Sequence, residues 1–204
     1  MTLTPADLSW PAVTQRLAIR PAAVSDLERI FGYYRSPEVA EWLGSRPTDL
    51  EEFVERVSEP GLLGRIFVVE HAGIHVGDVY LGITDPWAQK EVRDDARGTA
   101  ADIGYVIAPE FAGRGFASEA AAELLRICFE DLGLRRVTAE CLADNAASWR
   151  VMEKIGMRRE AVTRKASLHR TRGWLDAYGY ALLADEWAAS PAPGAAAAGR
   201  LGSR

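Results

Sequence analysis

The stretch DIGYVIAPEFAGRGFASE, residues 102–119, holds a strand, a break, a glycine turn and the opening of a helix. Asp102 to Ile107 is rich in β-branched and aromatic residues, the composition of a strand, and Pro109 breaks it. Gly113-Arg114-Gly115-Phe116-Ala117 follows as a turn, and from Glu119 to Asp131 the apolar residues Ala120, Leu124, Ile127 and Cys128 recur at helical spacing. A strand that enters a glycine turn and leaves as a helix is an anion trap. Glycines let the backbone approach closely, and the free N–H groups at the helix start point at the anion with the helix dipole behind them. A dinucleotide fingerprint needs a third glycine, but Ser118 stands there and no acidic residue follows at ribose distance. The P-loop pattern with its lysine is absent. Taken alone, the G-x-G pair fits a structural turn as well as a ligand site.

Downstream, Arg136 to Leu142 reads as a strand, and Ala146 to Ile155 as a helix capped by Asp144 or Asn145 and ended by Gly156. Two strands follow, around Arg159 to Leu168 and Trp174 to Leu183. Upstream, Arg65 to Glu70 and Ile74 to Thr84 form two strands with His71-Ala72-Gly73 as their turn, and Asp85 to Ala100 is a long charged connection. Capping boxes at Ser25/Glu28 and Thr48/Glu51 start helices. Ser36-Pro37 restarts the chain as a short helix that Gly44 ends, and Pro60-Gly61 stops the helix before it. Arg16 to Arg20 is a short first strand. Strand, helices, three strands, helix, strand, helix and two strands predict an α/β sheet with helices on its faces. The expected organisation is an irregular lead-in (1–14), one domain (15–189) and a disordered Ala/Pro/Gly tail (190–204).

The 204 residues, 48% hydrophobic and 26% charged, suit a single globular domain. A net charge of -5 argues against nucleic acid as a partner and agrees with an amine-bearing one. Cys128 and Cys141 make no disulfide framework, and His71, His75 and His169 form no metal-ligand array, so no metal is expected. The chain shows no signal-peptide pattern and no apolar stretch of membrane-spanning length, and the expected location is the cytoplasm.

A second motif, NAASWRVMEKIGM (145–157), lifts the glycine turn above a structural turn. A capped amphipathic helix explains Val151, Ile155 and Gly156, but not why Asn145 and Ser148 stand one turn apart at its opening. With residues 102–119 and the closing Trp174-Leu175-Asp176 and Tyr180-Ala181-Leu182-Leu183, it resembles the GNAT superfamily of N-acetyltransferases, nearest the RimJ/RimL-like branch. The resemblance runs from about Arg16 to Trp187.

The resemblance implies a mixed, mostly antiparallel sheet in which two parallel strands splay, with the pantetheine arm of acetyl-CoA lying in the opening. Val106 and Ile107 would pair with the pantetheine amides. The N–H groups of Gly113, Arg114, Gly115, Phe116, Ala117 and Ser118 would hold the pyrophosphate, and Asn145 would contact the cofactor. Two positions depart from the family pattern: Ala112 stands where Gln or Arg is usual, and Met152 where many members carry the tyrosine that serves the leaving thiolate. In the RimL-like branch a serine one turn earlier takes that role, which falls on Ser148. Asp102 is the candidate proton acceptor for the attacking amine, with Asp78 and Glu140 as weaker alternatives. Cys141 has no histidine near it in sequence to activate it, so direct attack in a ternary complex is expected over an acetyl-cysteine. The expected acceptor is a primary amine, on a protein N-terminus or a small molecule. The alternatives are an aminoglycoside-type antibiotic or a non-catalytic acetyl-CoA-binding module. A homodimer is consistent with the family. Trp42, Trp87 and Trp174 are candidates for an acceptor pocket, with core packing the expected fate of Trp42.

Overall fold

A computed structural model describes residues 3–189, so the tail at 190–204 lies outside the described residues. The apolar alternation of the chain is realised as eight strands: β1 Ala12–Val13, β2 Leu17–Pro21, β3 Ile66–His71, β4 Ile74–Thr84, β5 Ala100–Ile107, β6 Arg136–Leu142, β7 Arg158–His169 and β8 Gly173–Leu183. They form one sheet in the order β1-β2-β3-β4-β5-β6-β8-β7. Every neighbouring pair is antiparallel except β5–β6, which is parallel. The β3–β4 turn places Ala72 and Gly73 at φ 50° and 76°, the left-handed pair that matches the twist of a two-residue hairpin.

The helices are α1 Leu27–Tyr34, α2 Pro37–Ala40, α3 Leu50–Val57, α4 Pro60–Leu63, α5 Arg93–Ala96, α6 Phe116–Arg126, α7 Ala146–Lys154 and α8 Ala184–Ala189. Burial divides them between the two faces of the sheet. On one face, Leu124, Leu125 and Cys128 of the α6 segment and Met152 of α7 pack on Val79, Leu81, Ala101, Ile103, Val137 and Tyr180. On the other, Leu27, Ile30 and Phe31 of α1 and Phe53 and Val57 of α3 pack on Ile66 and Val106. Because strand side chains alternate, Asp78, Tyr80, Asp102, Gly104 and Val106 all belong to this second face.

Three sequence expectations shift. Part of the lead-in is regular structure: β1 extends the sheet, and Trp10 lies 4.7 Å from the Phe67 ring. The helix starts move by a few positions. Asp26 accepts the Ala23 N–H ahead of α1, and Asp49, not Thr48, caps α3 by accepting the Glu52 N–H at 2.8 Å. An Asp carboxylate competes well for these donors, and neighbouring acidic residues made the choice ambiguous. Finally, α6 begins at Phe116, directly on the glycine turn, and runs through Arg126 before a wider turn over Ile127–Asp131.

Candidate active site

The site begins where β5 and β6 part. Their parallel pairing holds only Ala100↔Arg136, Ala101↔Val137 and Asp102↔Thr138. Beyond it β5 stays on β4 through Gly77↔Ile107, while β6 stays on β8 through Leu142↔Ala177. Gly77 helps hold β5 to β4, since a Cβ there would lie 2.3 Å from the Val106 carbonyl oxygen. The β5 edge from Ile103 to Ile107 therefore faces a gap in the sheet without a strand partner. This gap opens into a cleft of about 850 Å³, with Ile103 to Ile107 on one wall, Glu140 to Leu142 on the other, and the glycine turn at one end.

The turn has the geometry of an anion cradle. Gly113 and Gly115 adopt φ 75° and 80°, which side-chain-bearing residues avoid. The N–H groups of Gly113 through Ser118 donate to no group among the described residues, while Glu119 N–H closes the first helical bond to Gly115. From behind, Arg16 donates to the Arg114 carbonyl at 3.0 Å and pairs with Glu119. Glu119 also accepts from the Thr14 hydroxyl and the Arg16 N–H at 2.6 and 2.8 Å. The carbonyl is thus pulled to the rear and the amides are left to the cleft. Of the six turn residues, Gly113, Gly115, Phe116, Ala117 and Ser118 line the cleft. The Arg114 side chain folds away over the Phe111 ring, 5.4 Å from its centroid.

Across the gap, Asn145 caps α7 by accepting the Ser148 N–H at 3.1 Å. This cap turns Ser148 into the cleft, where Asn145 and Ser148 are both lining residues. Tyr105 reaches over from β5, donating to the Ser148 carbonyl at 2.7 Å with its hydroxyl 3.1 Å from Ser148 Oγ. Burial pushes the Tyr105 phenol above its ordinary value, so it stays protonated and can donate. Cys141 also lines the cleft. Burial raises its thiol, partly opposed by Ser148, and no histidine is among the lining residues. A protonated thiol without a base is a poor nucleophile.

The carboxylates are placed differently from the sequence expectation. Asp102 is half-buried at the last β5–β6 pair and is not among the residues that line the cleft. Burial raises its carboxyl, partly opposed by Arg65. Asp78 and Glu140, the weaker alternatives, both line it. Asp78 is 2% exposed, and its two oxygens accept the hydroxyls of Tyr33 at 2.6 Å and Tyr34 at 2.8 Å. His75 stands beside Tyr33, 3.3 Å from its hydroxyl. Burial pushes the Asp78 carboxyl up to about 6, with the two tyrosines opposing. Sequence reasoning missed Tyr33 and Tyr34, whose helical spacing reads as core packing. Trp42 lines the cleft, whereas Trp87 and Trp174 stand outside it and are 88% and 56% exposed. The β7–β8 hairpin places Trp42 there: His169 lies 2.9 Å from the Glu41 carbonyl, Arg170 donates to the Leu43 carbonyl at 2.8 Å, and Arg172 bridges Glu41 and Asp144.

Asp78 has a measurable cost to the fold. Its folded pKa of about 6 exceeds the ordinary 3.8, so between these values the folded state holds more protons than the unfolded chain. Stability therefore falls as pH rises through that window, and the deficit is complete above it. Asp78→Asn removes the deficit. Relative to the parent, the variant gains up to about 3 kcal/mol between pH 4 and pH 8, read from thermal melts at both values. Equal differences at the two pH values would contradict this electrostatic account.

Among the described residues no group of His, Cys, Asp and Glu is arranged to hold a metal ion, and no helix is long and apolar enough to cross a membrane.

Comparison with known proteins places this arrangement. Residues 16–158 match the family described as "Acetyltransferase (GNAT) domain". The "Uncharacterized N-acetyltransferase YnaD" of Bacillus subtilis is 43% identical over 86 residues, 42% of this chain, and the matched part spans half of that relative. A GNAT-family acetyltransferase structure from Bacillus anthracis superposes with a TM-score of 0.70 at 32% identity, covering 84% of this chain and 97% of that one. RimL, a ribosomal L7/L12 alpha-N-protein acetyltransferase solved in complex with coenzyme A, shares the fold with a TM-score of 0.72 at 20% identity, over 87% and 99% of the two chains.

Proposed function

The chain belongs to the GNAT family of acetyltransferases, whose fold takes acetyl-CoA, and on that premise we propose that it transfers acetyl to a primary amine by direct attack in a ternary complex. The observation that carries this reading is the unpaired β5 edge together with the free N–H groups of Gly113 to Ser118 on one cleft. The edge of Val106 and Ile107 suits the two pantetheine amides, and the cradle suits the pyrophosphate. Gly113 and Gly115 have open space where a Cβ would project, apart from Arg16 at 3.4 Å from the Gly115 position, so phosphate oxygens can reach the amides.

The amine nitrogen bonds to the thioester carbon, the carbon–sulfur bond breaks, and the proton lost by nitrogen balances the departing thiolate. Ser148, with Tyr105 behind it, donates a hydrogen bond where negative charge gathers on sulfur. Asp102 takes the amine proton through water. Its burial raises its proton affinity, and it stands at the vertex of the gap without reaching into it. The acidic cleft favours a cationic small-molecule amine over a peptide N-terminus as acceptor, an aminoglycoside-type amine being one such case.

Release of free thiol from acetyl-CoA, measured against a panel of amines, tests the reading. Turnover that depends on acceptor supports an enzyme, whereas acetyl-CoA binding with no acceptor-dependent release supports a non-catalytic module. Asp102→Asn should lower kcat about tenfold or more while leaving KM for acetyl-CoA in place. Full turnover in that variant would remove Asp102 from the mechanism.

The rear support of the cradle predicts a separable effect. Glu119→Gln weakens the contacts of Arg16 and frees the Arg114 carbonyl to turn. KM for acetyl-CoA should rise about five- to tenfold with kcat nearly unchanged, because the loss falls on binding shared by ground and transition states.

A further inference from the structure

Outside the pantetheine gap, the acceptor side of the cleft carries a charge pattern that the transfer chemistry does not use. Its lining includes the carboxylates of Glu38, Asp78 and Glu140 and no Lys, Arg or His. Within the described residues the carboxylates of Glu38 and Glu140 make no hydrogen bond or ion pair. Asp78 is the informative member, because it is 2% exposed and, among the described residues, its only hydrogen-bond donors are the neutral hydroxyls of Tyr33 and Tyr34. A buried carboxylate is normally matched by a cation from the same chain, and leaving it unmatched costs stability. The two tyrosines each occupy one oxygen, which leaves further lone-pair directions free on both. They fix the carboxylate's orientation without neutralising it. Tyr34, Trp42 and Tyr80 add aromatic faces to the same lining, suited to a cation and the methylene chain behind it.

The position separates this carboxylate from the reacting centre. Asp78 lies on β4 opposite Val106, so the whole width of β5 stands between it and the open edge that faces β6. On the same face Val106 stands directly opposite Asp78, and two positions along β5 Gly104, opposite Tyr80, offers no side chain to block a slender substrate. A group bound at Asp78 is therefore not the nitrogen under attack.

We infer that Asp78, oriented by Tyr33 and Tyr34, anchors a second, non-reacting ammonium of the acceptor, so that the substrate is a small aliphatic diamine or polyamine. This rests on the reading of the cleft as the site of acetyl transfer to an amine. It names Asp78 as a specificity-determining residue, with Glu38 and Glu140 supplying attraction at the mouth. The ammonium supplies the missing counter-charge of the buried carboxylate, a gain that a monoamine cannot collect at both ends.

The test uses linear diamines from 1,3-diaminopropane to 1,8-diaminooctane and the matching monoalkylamines, with the coenzyme A-loaded protein. Calorimetry reads binding, and thiol release from acetyl-CoA reads turnover. The expected result is tighter binding of one diamine length over its monoamine by tenfold or more. Asp78→Asn should abolish that preference while coenzyme A affinity and monoamine binding stay within about twofold. Tyr34→Phe, which removes one orienting hydroxyl, should reduce the preference without abolishing it. Equal binding of diamines and monoamines, retention of the preference in Asp78→Asn, or stronger binding of short peptides than of any diamine would overturn the inference. A diamine preference without thiol release would leave the anchor standing and remove the transferase reading instead.

Discussion

Replacing Ser148 by Ala should lower kcat about 100-fold, with KM for acetyl-CoA changed by less than about threefold. In the proposed mechanism the hydroxyl donates where the departing sulfur becomes negative, an interaction that scarcely exists in the bound thioester, so its loss falls on the transition state. Ser148 is well placed to act this way. Its N–H is fixed by the Asn145 side chain, and Tyr105 contacts both its carbonyl and its hydroxyl. Met152, where the family resemblance implies a tyrosine, is 2% exposed in the core and brings no proton donor. Tyr105→Phe should cost less, about tenfold, since it removes an orienting contact and leaves the donor. Steady-state kinetics with a competent amine decide it, and a Ser148→Ala enzyme with full kcat would transfer the role to another group. A variant with raised KM and normal kcat would place Ser148 in binding only.

Gly115→Val should be the most damaging single change to donor binding, raising the dissociation constant for coenzyme A by 10- to 100-fold. Gly115 has φ 80°, and a β-branched residue held there costs roughly 1–3 kcal/mol. Its Cβ would also approach Arg16, the residue that holds the Arg114 carbonyl to the rear, at 3.4 Å. That approach is an ordinary contact, so the strain is the backbone's, and a turn that relieves it by rotating carries its N–H groups away from the cleft. Gly156→Val offers the control, since it carries similar strain at φ 89° and lies outside the cleft lining. Gly156→Val should lower thermal stability by a comparable amount while preserving coenzyme A affinity. Equal losses of affinity in the two variants would mean that Gly115 acts through stability alone.

The glycine turn and the capped serine were legible in the chain because they are made of local chemistry. A strand, a break, two glycines and a helix are consecutive in residues 102–119, and backbone amides at a helix start need no distant partner to point outward. The Asn145 cap and Ser148 are likewise three positions apart on one helix. The N-terminal segment was read less well. β1 pairs with β2 and Trp10 packs on Phe67, contacts that two short apolar residues do not announce.

The acceptor side was not legible for the same physical reason in reverse. Asp78 and Tyr34 are 44 positions apart and meet only when α1 lies across β4. Tyr33 and Tyr34 have the spacing of core residues, and a helical pattern cannot say that their hydroxyls end on a carboxylate. Asp102 looked like the group nearest the chemistry because it opens the motif strand, yet its place at the last β5–β6 pair leaves it outside the cleft lining. Trp42 looked like a core residue until the hairpin from His169 to Arg172 drew the end of α2 to the cleft.

By itself, then, the sequence determined the element order, the glycine turn, the capped serine and the family, all properties of residues close along the chain. Only the tertiary structure decided which carboxylates line the cleft, because a side chain's burial, partners and proton affinity are set by what packs against it. The parallel strands part after three paired residues because β5 keeps its register with β4 and β6 keeps its own with β8. That divergence belongs to the whole sheet, and no segment of the chain contains it.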